Sequence, residues 1–375
     1  MEALSTWDLV VIGGGPAGAS AAITAARAGV RVLLLEKGDF PRHKVCGEFV
    51  SGEALHLLHS LLADAPETRS LLSRVPRING VRLFLDGRTV HVPVDPPAAS
   101  LARYEMDAAL WQAAQAAGVV ARTKTPVLSI TSRDPFQIYT STGRYSARAV
   151  IDTAGRWSSL TEHPPELART PRWIGLKAHY EEESPAPTTD LYFFEGGYCG
   201  MQPVHLGEEP DPTRIVVCTM VRADVATRLE EVFELEPRLL KRSRGWKPLS
   251  EPIATAPLLF RQPTPVRDSV LRAGDAAGFV DPFVGDGMSL ALRSGALAVE
   301  SLLPFLRGEA SLAAATAAYS RSYSNCIAPV FRASSFLRRM LALPFAVRQP
   351  VLRVLERVPA LPRMMMSKTR SRAAA

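Results

Sequence analysis

Asp8-Leu9-Val10-Val11-Ile12-Gly13-Gly14-Gly15-Pro16-Ala17-Gly18, near the start of the chain, decides the fold. The apolar run Asp8–Ile12 reads as a buried strand, the alanine-rich Pro16–Ala28 as a helix, and Val30–Leu35 as the next strand. Such a β-α-β unit requires a right-handed crossover and a parallel sheet. Gly13-x-Gly15-x-x-Gly18 falls between strand and helix. Gly13 allows the tight turn, Gly15 lets the backbone approach a pyrophosphate, and Gly18 lets helix and strand pack closely. The helix start offers unpaired N–H groups and a positive dipole end to phosphates. Glu36, at the end of the second strand, stands where a carboxylate accepts hydrogen bonds from an adenosine ribose. Strand, helix and carboxylate in register point to dinucleotide binding rather than a chance glycine turn.

Outward from this unit, Ile78–Val94 alternates apolar and polar residues around Asp86-Gly87, a hairpin signal. Arg103–Ala117 returns to a helical pattern, and Val127–Asp152 reads as a β-meander whose last strand belongs to the first sheet. Trp173–Tyr180, Leu191–Phe194 and Arg214–Val221 read as longer antiparallel strands, Val270–Ala273 as a short strand, and Met288–Leu303 as a long helix. The expected fold class is α/β: a Rossmann-like nucleotide domain (1–75, 98–170 and 263–330) interwoven with a β-rich substrate domain (76–97 and 171–262). A basic helical segment, 331–375, completes it.

Far downstream lies Gly274-Asp275-Ala276-Ala277-Gly278, followed by Pro282, Gly285, Gly287 and the helix from Met288. An aspartate between small residues after a strand can bind a ribityl or ribose hydroxyl. The helix start at Gly287–Met288 can turn its positive end to the N1–C2=O edge of an isoalloxazine, where reduced flavin gathers negative charge. On its own the stretch is equally a glycine-rich loop capping a helix; paired with the first motif it reads as the flavin arm.

Gly13-x-Gly15-Pro16-Ala17-Gly18, Pro41-Arg42-x-Lys44-x-Cys46-Gly47-Glu48, and Gly274-Asp275 with Pro282-x-x-Gly285-x-Gly287 together resemble the FAD-dependent geranylgeranyl reductase family. More distantly the chain is similar to aromatic-ring flavin monooxygenases and flavin-dependent halogenases. The resemblance covers most of residues 8–303. It implies FAD as cofactor, with Ala17 and Glu36 at the pyrophosphate and adenosine ribose, Lys37 and Arg42 among the further cofactor-binding residues, and Cys46 and Gly47 against the flavin. It also implies Val127 at the adenine through its backbone, Asp275, Gly287 and Met288 at the ribityl chain and ring, and Gly285 among the cofactor-binding residues. Arg103 has two readings, a contact to the FAD phosphates or ribityl chain and a solvated arginine at a helix end.

Three departures bear on the reaction. Where the monooxygenases carry Ala-Asp-Gly, this chain has Asp152-Thr153-Ala154-Gly155-Arg156-Trp157-Ser158, with Ala154 in the place of the aspartate. The halogenases' Trp-x-Trp-x-Ile-Pro segment is missing. Gly197-Tyr198-Cys199-Gly200-Met201-Gln202-Pro203 resembles the Tyr-x-Trp-x-Phe-Pro region lining the reductase cavity, with Gly200 in place of tryptophan. That implies added room and a substrate other than a prenyl lipid; the same stretch also reads as a strand edge with a glycine bulge. Catalytic candidates reduce to Cys46 and Tyr198. Cys46 lacks a Cys-x-x-Cys partner and reads as a packing contact to FAD before a reactive thiol, and His43, His179 and His205 read first as structural.

Cys46, Cys199, Cys218 and Cys326 are scattered, which points away from a disulfide framework or metal site and fits a reducing cytoplasm. No stretch of 18 uncharged apolar residues is present, which argues against a membrane span. The net charge of +7 concentrates in Phe331–Arg372, where Arg332, Arg338, Arg339, Arg348, Arg353, Arg357, Arg363, Lys368, Arg370 and Arg372 are interrupted by Pro344, Pro350, Pro359 and Pro362. Helices packed over the flavin domain and peripheral contact with an anionic membrane both fit this tail; no nucleic-acid motif accompanies it.

The expected activity is an FAD-dependent oxidation or reduction of a small apolar substrate, double-bond saturation first, with NAD(P)H or a reduced electron carrier as transient donor. No second Gly-x-Gly-x-x-Gly is present for a resident nicotinamide. Hydroxylation with NAD(P)H and O2 is the second reading, and a non-catalytic FAD- or lipid-binding module the third.

Overall fold

The computed structural model describes residues 6–131, 134–156, 160, 172–207, 211–255, 257–341 and 343. Its first sheet grows from β1 (Trp7–Ile12), which lies parallel between β2 (Val32–Leu35) and β9 (Gly143–Asp152). β6 (Val120–Arg122) extends the β2 side; β17 (Val270–Arg272) and β16 (Val266–Arg267) extend the other. β7 (Val127–Thr131) and β8 (Phe136–Thr140) form the meander leading into β9. The apolar run of β1 is continuous because both faces are covered. Leu9 and Val11 join the helix-side core, while Val10 and Ile12 pack with Phe136 and Ile138 of the meander.

α1 (Pro16–Arg27) follows the glycine turn. Its C-terminus is closed by Gly29 at φ +80 and by the Val30 N–H donating to Ala25 O (3.1 Å), so Val30 ends the helix instead of opening the next strand. α7 (Gly287–Leu306) crosses α1, and Ser20 Oγ donates to Leu292 O at 2.7 Å. Among the described residues α7 alone is long and apolar enough to cross a membrane, yet most of it is buried in this core and it carries Arg293 and Glu300. α2 (Gly52–Leu61), α3 (Pro66–Arg74) and α4 (Arg103–Ala116) complete the helix layer, followed at the end by α8 (Leu312–Cys326) and α9 (Ala328–Leu341).

The second sheet runs β14 (Lys247–Pro248), β10 (Trp173–Glu181), β13 (Arg214–Arg222), β12 (Gly197–Pro203), β11 (Thr188–Phe194), β4 (Arg77–Leu85), β5 (Arg88–Ser100), β3 (Phe49–Val50), with β15 (Ile253–Thr255) also on β10. β4 and β5 turn at Asp86-Gly87, both at positive φ (51° and 76°), as a two-residue hairpin demands. The exchange between sheets differs from the expected boundaries: Phe49–Val50 and Ala98–Ser100 belong to the second sheet, because β5 runs on to pair with β3. β12 is central, and its register with β11 and β13 is unbroken, which removes the reading of Gly200 as an edge bulge.

Side chains alternate across this sheet. Ala178, Tyr180, Tyr192 and Val217 pack beneath α5 (Leu229–Glu234) and α6 (Pro237–Ser243), against Phe233 and Trp246. The opposite face presents Leu191, Phe193, Tyr198 and Met220 to Leu258, Phe260, Phe279 and Phe283. The fold is thus mixed α/β, two sheets with a helical C-terminal segment. In α9, Arg338 turns inward over the Phe260 ring (4.3 Å), while Arg332, Phe336 and Arg339 are exposed. The tail's prolines and its basic residues from Arg348 onward lie outside the described residues.

Candidate active site

The glycine turn is fixed by its surroundings. Gly13 sits at φ +101, where a Cβ would stand 2.6 Å from Thr153 O, and Thr153 Oγ1 donates to Ile12 O and Gly13 O at 2.7 and 2.8 Å. At Gly18 a Cβ would be 1.8 Å from Gly13 O. Gly15 differs: beside it the first neighbour is Arg103 Nη2 at 3.9 Å, so space stays open between the α1 start and a guanidinium. That combination of a bare helix N-terminus and a facing cation suits a pyrophosphate. Arg103 is held by Asp107 (2.7 Å) and mostly buried, which removes the solvated-arginine reading.

Glu36 is buried and accepts from the N–H groups of Gly14 (2.7 Å) and Gly38 (2.9 Å). Arg42 grips it through two bonds, 2.5 and 3.0 Å. Burial pushes this carboxyl up, but Arg42 and the two N–H groups outweigh it and hold it below the usual carboxylate range. Lys37 is exposed, so Arg42 is the cation that meets Glu36. Val127 opens β7 two residues beyond Thr125, whose N–H donates to Glu36 O at 2.9 Å; this sets Val127 beside the Glu36 end of the cradle.

The downstream arm comes to the same place. Gly274, at φ +59, faces Ala17, whose Cβ would lie 2.9 Å from a Cβ there, and its N–H donates to Ser294 Oγ (2.9 Å). Asp275 stands 3.7 Å from Arg156 and also feels Arg103 and Lys44. Gly285, at φ +72, lies against the Phe49 ring, and α7 begins at Gly287 with Met288 buried behind it. Cys46 is half-buried among Arg103, Arg156 and Cys218, and its sulfur accepts from the Glu48 N–H (3.4 Å); a Cβ on Gly47 would meet nothing within 4 Å.

Next to this cradle the second sheet lays down two rows of side chains. One runs Lys177–Cys218–Gly200–Leu191–Leu83, the other Gly175–Met220–Tyr198–Phe193. The aromatic rings of Phe193, Tyr198 and Phe283 meet edge to face or tilted, and Phe279 joins Phe260. Burial lifts the Tyr198 phenol well above its ordinary range, so it keeps its proton. The room expected at Gly200 is partly filled by Leu191, 3.0 Å from where a Cβ would be.

Sequence reading missed Asp281, next to Pro282. It is buried, and its Oδ2 makes no hydrogen bond among the described residues, with Arg338 3.9 Å away. Burial pushes its carboxyl up to about 7. Because the folded value lies above the unfolded one, the group favours folding below about pH 4, and that contribution is lost as pH rises through 7. Asp281→Asn should flatten the decline in stability between those limits, a difference of about 4 kcal/mol at most. Denaturant midpoints of both proteins across pH 4–8 check this; parallel curves contradict it.

A family model described as FAD dependent oxidoreductase matches residues 8–52. The chain is 28% identical over 336 residues to the menaquinone reductase of Mycolicibacterium smegmatis, covering 78% of this chain and 75% of that protein. It is 27% identical to the geranylgeranyl diphosphate reductase of Rhodobacter capsulatus, covering 80% and 76%. Among solved structures, a flavin-dependent brominase superposes with a TM-score of 0.80 at 21% identity, over 97% of this chain and 93% of that one. A geranylgeranyl bacteriochlorophyll reductase-like protein of Thermoplasma acidophilum superposes with a TM-score of 0.73 at 19% identity, over 97% and 96%. With an open cradle under Gly15, a carboxylate at its far end and a second glycine arm closing on Ala17, the residues present fit FAD, and the chain is an FAD-dependent oxidoreductase.

Proposed function

We propose that this oxidoreductase saturates a carbon–carbon double bond of an apolar substrate lying on the face formed by Leu191, Phe193, Tyr198, Met220, Phe279 and Phe283. The observation that carries the reading is this aromatic face beside the Asp275 arm, where partly buried Phe193, Phe279 and Phe283 pack on Leu191, Tyr198 and Met220 and Tyr198 is a protonated hydroxyl. When bound, the flavin supplies the hydride. The chain's own work is to hold the alkene flat against apolar rings, exclude water and offer a proton to the second carbon from Tyr198. FAD would be held by Gly13, Gly15, Ala17, Gly18, Glu36, Arg42, Arg103, Val127, Asp275, Gly285, Gly287 and Met288, with Cys46 and Gly47 on the ring side. A nicotinamide or an electron carrier would reduce it transiently. The family likeness to reductases of isoprenoid substrates supports saturation over hydroxylation.

The test is anaerobic photoreduction of the holoenzyme followed by titration with geranylgeraniol and with a cinnamyl-type enone. Reoxidation of the flavin by one of them without oxygen, with a saturated product, is expected. Reoxidation on admitting oxygen alone, with a hydroxylated product, contradicts the proposal.

A further inference from the structure

The Pro41–Glu48 loop carries a carboxylate into complete burial. Glu48 is 0% exposed and sits at φ +60, a conformation that side-chain-bearing residues seldom adopt. Its C=O accepts from Leu101 N (2.8 Å), and Oε1 accepts from the Arg103 N–H (3.0 Å) at the start of α4. Lys177, 1% exposed, donates to the same Oε1 and to Lys44 O (3.3 Å). His179 Nε2 lies 3.1 Å from Oε2. These partners come from alternate positions of one β10 face, and the row continues at Gly175, where a Cβ would stand 3.0 Å from Val45.

Stability alone does not account for such a cluster, since apolar residues of similar size commonly hold a fold as well as a buried ion pair. Its placement is specific: Glu48 ends the loop that carries Cys46 and Gly47, and it fixes the helix start from which Arg103 reaches toward Gly15. His179 and Lys177 hold the Glu48 carboxyl below its usual range against the opposing effect of burial, so it is a buried charge facing Lys177 and His179, while Arg103, Arg156 and Lys44 surround the neighbouring Asp275.

We propose that Glu48 is a positioning residue of the flavin site: through Lys177 and Arg103 it seats the Cys46–Gly47 turn, and its charge, balanced against Lys177, sets the ease of flavin reduction. This rests on the reading of that turn and of Arg103 as flavin-site elements. Reduced flavin carries added negative charge, so an unbalanced cation nearby favours it and an unbalanced anion opposes it.

The test is a dye-linked anaerobic reduction titration of the FAD-loaded proteins. Glu48→Gln keeps the shape, loses the charge and should move the midpoint potential positive; Lys177→Gln should move it negative. A merely structural cluster lowers thermal stability in both variants without opposite shifts in potential. If Glu48→Gln does not accumulate as folded protein, Lys177→Gln and the pair Glu48→Gln/Lys177→Met carry the test, with a lowered potential in the first and a wild-type potential in the second. Flavin-loaded variants with an unmoved midpoint, or shifts of the same sign, overturn the proposal. A wild-type protein that takes up no FAD overturns the cofactor reading beneath it, and the two failures are told apart by the wild-type spectrum.

Discussion

Glu36→Ala should leave the oxidoreductase without its flavin after gel filtration. The side chain accepts from Gly14 N–H inside the glycine turn and is gripped by Arg42, and its place at the end of β2 is where a ribose would bond. Hydrogen bonds to a charged acceptor are worth about 1.5–3 kcal/mol each, so losing the ribose contacts weakens retention by about 100-fold or more. Two further effects add to this: Gly14 loses a partner that holds the turn, and the Arg42 guanidinium is left beside an empty position. Because Glu36 is held below the usual carboxylate range, the loss should be the same from pH 6 to pH 8. The ratio of flavin to protein absorbance in the eluted peak measures it, and an unchanged ratio would count against the assigned role.

Gly295→Ala should unfold the joint between the two halves of the site. A methyl group there would lie 2.1 Å from Ala17 O and 3.2 Å from Ala21 N, both backbone atoms that cannot swing aside. α1 and α7 must therefore part, and overpacking of this kind costs about 1–3 kcal/mol or more. The separation also pulls Gly274 away from Ala17, so flavin retention should fall together with the thermal midpoint. A variant with the wild-type midpoint would show that the helices do not cross as closely as described.

Part of this site is legible in the sequence because its determinants are local. The glycine turn, the helix after it and the Asp86-Gly87 hairpin each depend on residues a few positions apart, and β1 announces burial on both faces by its unbroken apolar run. Gly295 looks like any mid-helix glycine until α1 is laid across it. Glu48 reads as the end of a motif, while its partners Lys177 and His179 are 129 and 131 residues away on a strand that pattern alone identifies only as β. Asp281 is unreadable for a related reason: its proton affinity comes from burial in the folded chain, against the opposing pull of Arg338 on α9. Gly200 reads as an edge bulge or as a central strand position, because an interior glycine gives no sign of where its strand lies; pairing on both sides makes it central.

The measurement that bears most directly on the account is a spectrophotometric FAD titration of the purified chain. Converging helix starts at Pro16 and Gly287 predict a yellow protein that binds close to one FAD per chain, with a resolved flavin band. A colourless protein whose spectrum shows no uptake of added FAD would contradict it.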